Sequence, residues 1–127
     1  MNTKPPRERE SKVQRSIIVR LRRLGIRLWR RNVAAFAIED RFIRCASPGQ
    51  ADLWGIDRQA RHWEIEVKRP GNKPTGLQLH WLKEMHALGC VAFWSDSAND
   101  AERVAKAIKA GGVIVWDEGS EFHVEMP

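Results

Sequence analysis

The chain has 127 residues, of which 43% are hydrophobic and 30% are charged, and its net charge is +6. This length suits a single domain, and no apolar run approaches the ~20 residues that span a bilayer. The first ten residues are polar, so we expect no signal peptide, no membrane segment and an intracellular protein.

The positive charge is concentrated in the first third of the chain. Residues 1–44 contain thirteen Lys and Arg against four Asp and Glu, or +9, whereas residues 45–127 contain nine against twelve, or −3. A basic region beside acidic side chains suits a protein that holds a polyanion by its phosphates. Arginines that only keep a helix soluble give the same count, so charge alone leaves both interpretations open.

The N-terminal part is predicted to hold an arm and a helix. Residues 1–8 contain two prolines and no apolar periodicity, which predicts a flexible basic arm ahead of a single domain at 9–127. Apolar residues recur at helical spacing from about Glu8 to Leu24, so we expect an amphipathic helix. Glu10 lies on its apolar stripe, where it either complements the helix dipole or reaches a functional site.

Short strands are expected next. Apolar alternation over residues 26–38 and 41–45 predicts two or three strands around a turn at Glu39 and Asp40. The stretch from Gly49 to Lys68 is predicted to form a β-hairpin with its loop at residues 58–60.

This hairpin brings acidic residues together. If its loop pairs Asp57 with Arg61, Asp52 lies opposite Glu66 to within a residue or two. Glu64, Glu66 and Lys68 then share one face of a strand. Two facing carboxylates favour a hard divalent cation between them, although a solvated face on an edge strand is an equally common outcome for such alternation.

The C-terminal half is predicted to alternate helices and strands. Thr75 and Gln78 have the spacing of a capping box, and the helix that they begin should end at Gly89. Apolar runs and helical periodicity then predict four further elements: a buried strand at 90–94, a helix at 97–110, a buried strand at 113–116 and an edge strand at 122–124. Strand, helix and strand at 90–116 should form a right-handed βαβ unit in a mixed sheet.

The order Asp52, then Glu66-Val67-Lys68, then Gln78 at the start of a helix resembles the PD-(D/E)xK nucleases, and among them the VRR-NUC family. The segment Leu28-Trp29-Arg30-Arg31-Asn32 is also similar to the family pattern. The resemblance covers residues 10 to 95. It implies an α/β, restriction-endonuclease-like fold with a central mixed β-sheet flanked by helices.

The resemblance also implies a site and an activity. Asp52 and Glu66 would bind Mg²⁺ or Mn²⁺ together with the Val67 main-chain carbonyl, and Glu10 would be a further or water-mediated ligand. Lys68 would orient or help deprotonate the attacking water and neutralise the phosphate, and Gln78 would hold Lys68 or that water in place. The expected activity is endonucleolytic cleavage of DNA, on branched DNA such as four-way (Holliday) junctions or on duplex. Such a protein is expected in the cytoplasm of a bacterial or phage-infected cell. Four basic side chains are expected to contact DNA: Arg30, Arg31, Arg69 and Lys73.

Two further expectations concern assembly and an alternative function. Six tryptophans are many for one small core, and paired cuts in a junction need two sites, so we expect a homodimer. The alternative is a DNA-binding or assembly module that keeps the nuclease fold but cuts nothing.

Overall fold

The computed structural model describes residues 9–31, 35–38, 41–44 and 49–127, with the two segments at 35–38 and 41–44 described by their backbone alone. The predicted arm at residues 1–8 and the predicted turn at Glu39 and Asp40 lie outside these ranges. In chain order the elements are α1 (Glu10–Arg23), β1 (Arg27–Arg30), β2 (Ala35–Ile38), β3 (Arg41–Arg44), β4 (Leu53–Ile56), β5 (His62–Val67), α2 (Gly76–Ala87), β6 (Val91–Ser95), α3 (Ala98–Lys109), β7 (Val113–Trp116) and β8 (Phe122–Glu125).

A four-stranded sheet lies at the centre of the fold. Its strand order is β1-β4-β5-β6, with antiparallel pairing up to β5 and parallel pairing between β5 and β6. Strands β2 and β3 pair with each other, as do β7 and β8. The predicted mixed sheet flanked by helices is therefore confirmed. None of the helices within the described ranges is long and apolar enough to cross a membrane.

The predicted βαβ unit at 90–116 is wrong. Strand β7 pairs with β8 in a separate sheet instead of joining β6. The parallel crossover is formed by β5, α2 and β6, because β5 and β6 are the two parallel neighbours. Apolar content identified both strands, but it could not show which strand each would pair with.

Helices cover both faces of the sheet. Helices α1 and α3 pack against each other and over the face that carries Trp63, Ile65 and Val67. Helix α2 packs on β5 and β6 from the opposite side, through Leu82. Strand β5 is therefore covered on both faces and is buried from Trp63 to Val67. Glu64 and Glu66 therefore do not lie on the solvated face of an edge strand.

The turn between β4 and β5 fixes the register of the hairpin. Ala60 adopts a positive φ of 62°, which suits a three-residue loop. The Asp57 main-chain N–H donates to the Arg61 carbonyl at 3.1 Å, and the Asp57 carboxylate accepts from the Arg61 N–H and the Trp63 indole. Burial raises the pKa of Asp57, but these hydrogen bonds outweigh it and lower the pKa overall. The predicted pairing of Asp57 with Arg61 is confirmed.

Candidate active site

Asp52 and Glu66 form an acidic pair at one end of the central hairpin. Leu53 pairs with Ile65, so continuing the register by one residue places Asp52 opposite Glu66. The Asp52 carboxylate accepts a 2.9 Å hydrogen bond from the Val67 main-chain N–H. Gly49, three residues before Asp52, adopts a positive φ of 85° and lies against α2, where an added Cβ would lie 2.7 Å from the Leu77 carbonyl oxygen. The contacts with Val67 and with α2 together fix the position of the backbone that leads into β4 and carries Asp52.

Glu66 is an unusual buried acid. Its exposed fraction is 2%, and its Oε2 atom has no hydrogen-bond partner among the described residues. The pKa of Glu66 is raised to about 9, mainly by burial and then by the adjacent Asp52 carboxyl, while the Lys68 ammonium partly offsets the shift. Such a group holds a proton at neutral pH unless a positive charge replaces it.

Lys68 follows directly after β5 and lies beside this pair. Its Nζ atom is 3.8 Å from Glu66 Oε1, and its side chain is largely buried. The Lys68 main-chain N–H donates to the Ser95 carbonyl at 3.0 Å, which anchors the residue to the end of β6. Two carboxylates and one ammonium therefore meet at the carboxyl end of β5, as the alternation of the sequence predicted.

A second charged cluster lies next to this pair and was not predicted. Glu64 is fully buried, and its two carboxylate oxygens accept hydrogen bonds from the Arg31 guanidinium at 2.7 and 3.0 Å. The Trp81 indole of α2 donates to Glu64 Oε1 at 2.7 Å, and His62 Nε2 lies 2.6 Å from Oε2. Every oxygen of this carboxylate is thus satisfied, in contrast to Glu66.

The Arg31 side chain connects this cluster to Asp52. Its Nη1 atom donates to the Ala51 carbonyl at 3.0 Å, and its main-chain N–H donates to the Asp52 carbonyl at 2.8 Å. The guanidinium also lies over the Trp81 ring, 5.7 Å from the ring centroid. We call Arg31, Glu64 and Trp81 the clamp. It holds the backbone that carries Asp52, because the bidentate pair fixes the guanidinium.

The oxygen donors fit a hard divalent cation. Magnesium and manganese prefer carboxylate oxygens, and the orphaned Oε2 of Glu66 lies beside a second carboxylate that repels it. A cation between Asp52 and Glu66 would satisfy the orphaned oxygen and offset the repulsion. Within the described ranges, however, no group of three or more His, Cys, Asp and Glu side chains lies together as it would around a metal ion.

Comparison with known proteins identifies the fold. No protein-family model and no curated protein matches the sequence. Among the solved structures that match is one titled "VRR_NUC domain", which is 23% identical with a TM-score of 0.56 over 76% of this chain and 94% of that chain. The chain has the fold of a VRR_NUC domain. The fold that the sequence motifs implied is therefore confirmed.

Within this VRR_NUC fold, Gln78 has a clear structural role. The Thr75 side chain accepts from the Gln78 main-chain N–H at 3.3 Å, and Gln78 Oε1 accepts from the Thr75 N–H at 2.9 Å. The predicted capping box is confirmed. In the described part of the chain the polar contact of the Gln78 side chain is with Thr75 and not with Lys68, so its catalytic role stays a prediction.

Glu10 lies at the start of α1, outside the hairpin that carries the acidic pair. It is the first residue of α1, where a carboxylate complements the positive end of the helix dipole. Burial is the main cause of the raised pKa of Glu66, and the charged groups that also shift it are Asp52 and Lys68. The expected ligand roles of Glu10 and of the Val67 carbonyl therefore remain predictions.

The four expected DNA contacts differ in availability. Arg30 and Arg69 are exposed, and Arg30 donates to the Ser11 carbonyl of α1 at 3.1 Å. Lys73 forms a solvent-exposed ion pair with Glu121 at 3.2 Å, which costs little to break. Arg31 forms an ion pair with Glu64. The basic residues around Arg31 in the sequence did not indicate this partner.

Proposed function

We propose that this protein is a metal-dependent endonuclease that hydrolyses phosphodiester bonds in DNA. The observation that carries the proposal is the buried Glu66 carboxyl beside Asp52. Its Oε2 atom has no hydrogen-bond partner among the described residues, and the Lys68 ammonium lies 3.8 Å from its Oε1 atom. Leaving a buried acid unsatisfied destabilises a fold, so such a group at the end of a strand favours a functional role. The VRR_NUC fold supports a nuclease, and the motif order Asp52, Glu66 and Lys68 supports membership of that family.

The metal would be Mg²⁺ or Mn²⁺, held by Asp52, Glu66 and the Val67 carbonyl. Bound there, it would supply charge stabilisation on the phosphate and a more acidic water. The protein's own residues do the rest. Lys68 orients the attacking water and offsets the phosphate charge, while the clamp keeps the Asp52 backbone in one position.

The basic N-terminal third of the chain would hold the DNA. Exposed Arg30 from this region, together with exposed Arg69 from the loop after β5, contacts phosphates on either side of the scissile bond. We propose branched DNA, such as a four-way junction, as the substrate. Labelled duplex, flap and four-way junction substrates, incubated side by side with Mg²⁺ or Mn²⁺ and with EDTA, test this proposal. Metal-dependent products from the wild type and none from Asp52→Asn are expected.

The same assay distinguishes a nuclease from the alternative, a module that binds DNA without cutting it. Retention of junction DNA on a gel, with no metal-dependent product even at high protein concentration, would support that module. Calorimetry with Mn²⁺ provides an independent test of the site. Asp52→Asn should bind Mn²⁺ far more weakly than the wild type, because a hard cation loses one of its carboxylate ligands. Equal affinity would show that the site is misplaced.

Junction cleavage also requires assembly. Two symmetric cuts need two sites, and the chain carries one Asp52, Glu66 and Lys68 set, so we propose a C2 homodimer. Light scattering at micromolar concentration should give twice the 14.6 kDa mass of one chain. A monomer that still makes paired nicks would contradict the dimer and favour two independent binding events.

A further inference from the structure

A row of aromatic rings crosses the sheet beside the acidic pair. Trp29 of β1 pairs with Trp54 of β4, and their ring centroids lie 5.1 Å apart at an interplanar angle of 33°. The His62 ring of β5 continues the row, stacked on Trp54 with a centroid distance of 6.2 Å and an angle of 22°. We call these three side chains the ring platform.

The ring platform is exposed. The exposed fractions are 43% for Trp29 and 38% for Trp54, whereas Leu28 and Leu53, on the other face of the same strands, are buried. Helix α2 packs over β5 and β6, so it does not shield the β1 side of this face. An aromatic ring that stays exposed does not contribute to stability as a buried ring would. Adjacent exposed rings therefore favour a binding site for a ligand with flat apolar surfaces.

The platform is continuous with the candidate active site. Asp52 and Trp54 are two residues apart along the hairpin arm, so alternation places both on one face, ~7 Å apart along the strand. Trp54 pairs with Glu64 in the register, and His62 contacts the Glu64 carboxylate. A ligand on the rings would therefore lie about two residues along the strand from Asp52, which faces Glu66 across the hairpin.

The charges around the platform favour a polyanion. Arg27 shares the exposed face of β1 with Trp29, and Arg58 is exposed in the turn next to the Arg27 end of the strand. Aromatic rings with basic side chains on their flanks are the combination that binds single-stranded nucleic acid, since bases stack and phosphates meet cations. Base-pair stacking within continuous duplex hides the base faces that such rings would contact.

A second copy of this chain fits the platform less well. Among the side chains that the structure describes, the large exposed apolar ones on this face are Trp29, Trp54 and Ile56, whereas a stable interface needs ~800 Å² and 20–30 residues from each partner. A two-fold axis here would also bring the arginine flanks of both copies together, which is unfavourable.

We propose that the ring platform binds unpaired bases of the DNA strand whose phosphate enters the site of Asp52 and Glu66. This rests on the proposed function and specifies its substrate as DNA with unpaired or readily opened bases beside the cut. Trp29 and Trp54 stack the bases, and Arg27 contacts the neighbouring phosphate.

The test compares DNA with and without bases. Fluorescence anisotropy in EDTA, where nothing is cut, measures the affinity for labelled 12-nucleotide oligo(dT), for an abasic strand of equal length and for blunt duplex. The wild type should prefer oligo(dT) to the abasic strand by about tenfold or more. The double variant Trp29→Leu/Trp54→Leu should lose that preference but keep its affinity for the abasic strand, which measures phosphate contacts alone.

Matched variants provide the controls. Trp29→Phe/Trp54→Phe should retain most of the preference because phenyl rings still stack, and Leu88→Ala, which alters an exposed apolar side chain at the end of α2, should retain all of it. Equal binding of oligo(dT) and the abasic strand by the wild type would overturn the proposal. So would conversion of a dimer to a monomer by the Trp29→Leu/Trp54→Leu double variant in light scattering, because the platform would then be an interface between copies.

The outcome is independent of cleavage. Base-dependent binding without metal-dependent cutting would support the platform and contradict the nuclease. Metal-dependent cutting with no difference between oligo(dT) and the abasic strand would support the nuclease and contradict the platform.

Discussion

Glu64 and Glu66 lie two residues apart on β5, on the same face and almost fully buried, yet their surroundings are opposite. The Glu64 carboxylate accepts hydrogen bonds from both terminal nitrogens of the Arg31 guanidinium and from the Trp81 indole, so its negative charge is paired. Glu66 has Lys68 at 3.8 Å, a second carboxyl nearby and an orphaned oxygen. Burial alone therefore does not distinguish a structural acid from a functional one, whereas the supply of hydrogen-bond donors does.

The difference follows from what covers each residue. Glu64 lies beneath α2 and beside Arg31, and both supply donors. Glu66 lies nearer the end of β5, where the chain leaves the sheet at Lys68 and Asp52 is the neighbour across the hairpin. We infer that Glu64 supports the backbone of Asp52, whereas Glu66 is available to bind a cation.

The largest expected effect is on cleavage. Glu66→Gln should reduce the metal-dependent rate roughly 1,000-fold, because it removes a charge at the reacting centre. Glu64→Gln should reduce the rate only about tenfold, because it acts through the position of Asp52. Single-turnover cleavage of the same labelled junction measures both. Equal losses would remove the functional distinction between the two acids.

The second effect is on the free energy of unfolding, and here the order of the two residues should be reversed. Glu64→Gln should destabilise the fold more than Glu66→Gln does. Glu64→Gln leaves the largely buried Arg31 guanidinium unpaired, which should cost about 3 kcal/mol of unfolding free energy. Glu66→Gln should cost nothing or stabilise the fold. Urea unfolding followed by tryptophan fluorescence measures both values. Adding Arg31→Met to Glu64→Gln should recover part of the loss, and purely additive losses would contradict a direct pair.

The third effect separates cutting from binding at Lys68. Lys68→Ala should slow cleavage ~100-fold, because the water loses its orientation, while DNA affinity changes by only ~1 kcal/mol. Cleavage assays and anisotropy on the same substrate give the two numbers. A parallel decrease in both would make Lys68 a phosphate contact only.

The smallest effect is a dependence of stability on pH. Because the folded pKa of Glu66, about 9, lies above its ordinary value of 4.5, the folded state binds a proton that the unfolded state has released between these values. Stability in EDTA should therefore fall as pH rises from 6 to 7, by up to ~1.4 kcal/mol for this one group. Urea titrations at the two pH values should show the decrease in the wild type and its absence in Glu66→Gln. An identical slope in both proteins would mean that Glu66 is already ionised.

Much of the hairpin was predictable because its determinants are local. The spacing of Asp57 and Arg61 fixed a three-residue loop, and the period of two along each strand then carried the register to Asp52 and Glu66. The capping box of Thr75 and Gln78 was predictable for the same reason, since its partners are three residues apart.

The clamp and the β7 pairing were not predictable in this way. Arg31 and Glu64 are 33 residues apart, and alternation states which face Glu64 occupies but not which side chain meets it there. The apolar pattern of β7 likewise identified a strand but not its partner β8.

The sequence by itself determined the elements, the hairpin register and the identity of the acids that face each other. Only the tertiary structure decided that both oxygens of Glu64 receive hydrogen bonds while Oε2 of Glu66 receives none from the described residues, and that Trp29 and Trp54 lie side by side and exposed to solvent. The physical reason is that turns, caps and strand periodicity act over a few residues, whereas donor supply and exposure depend on which distant elements pack over a given face.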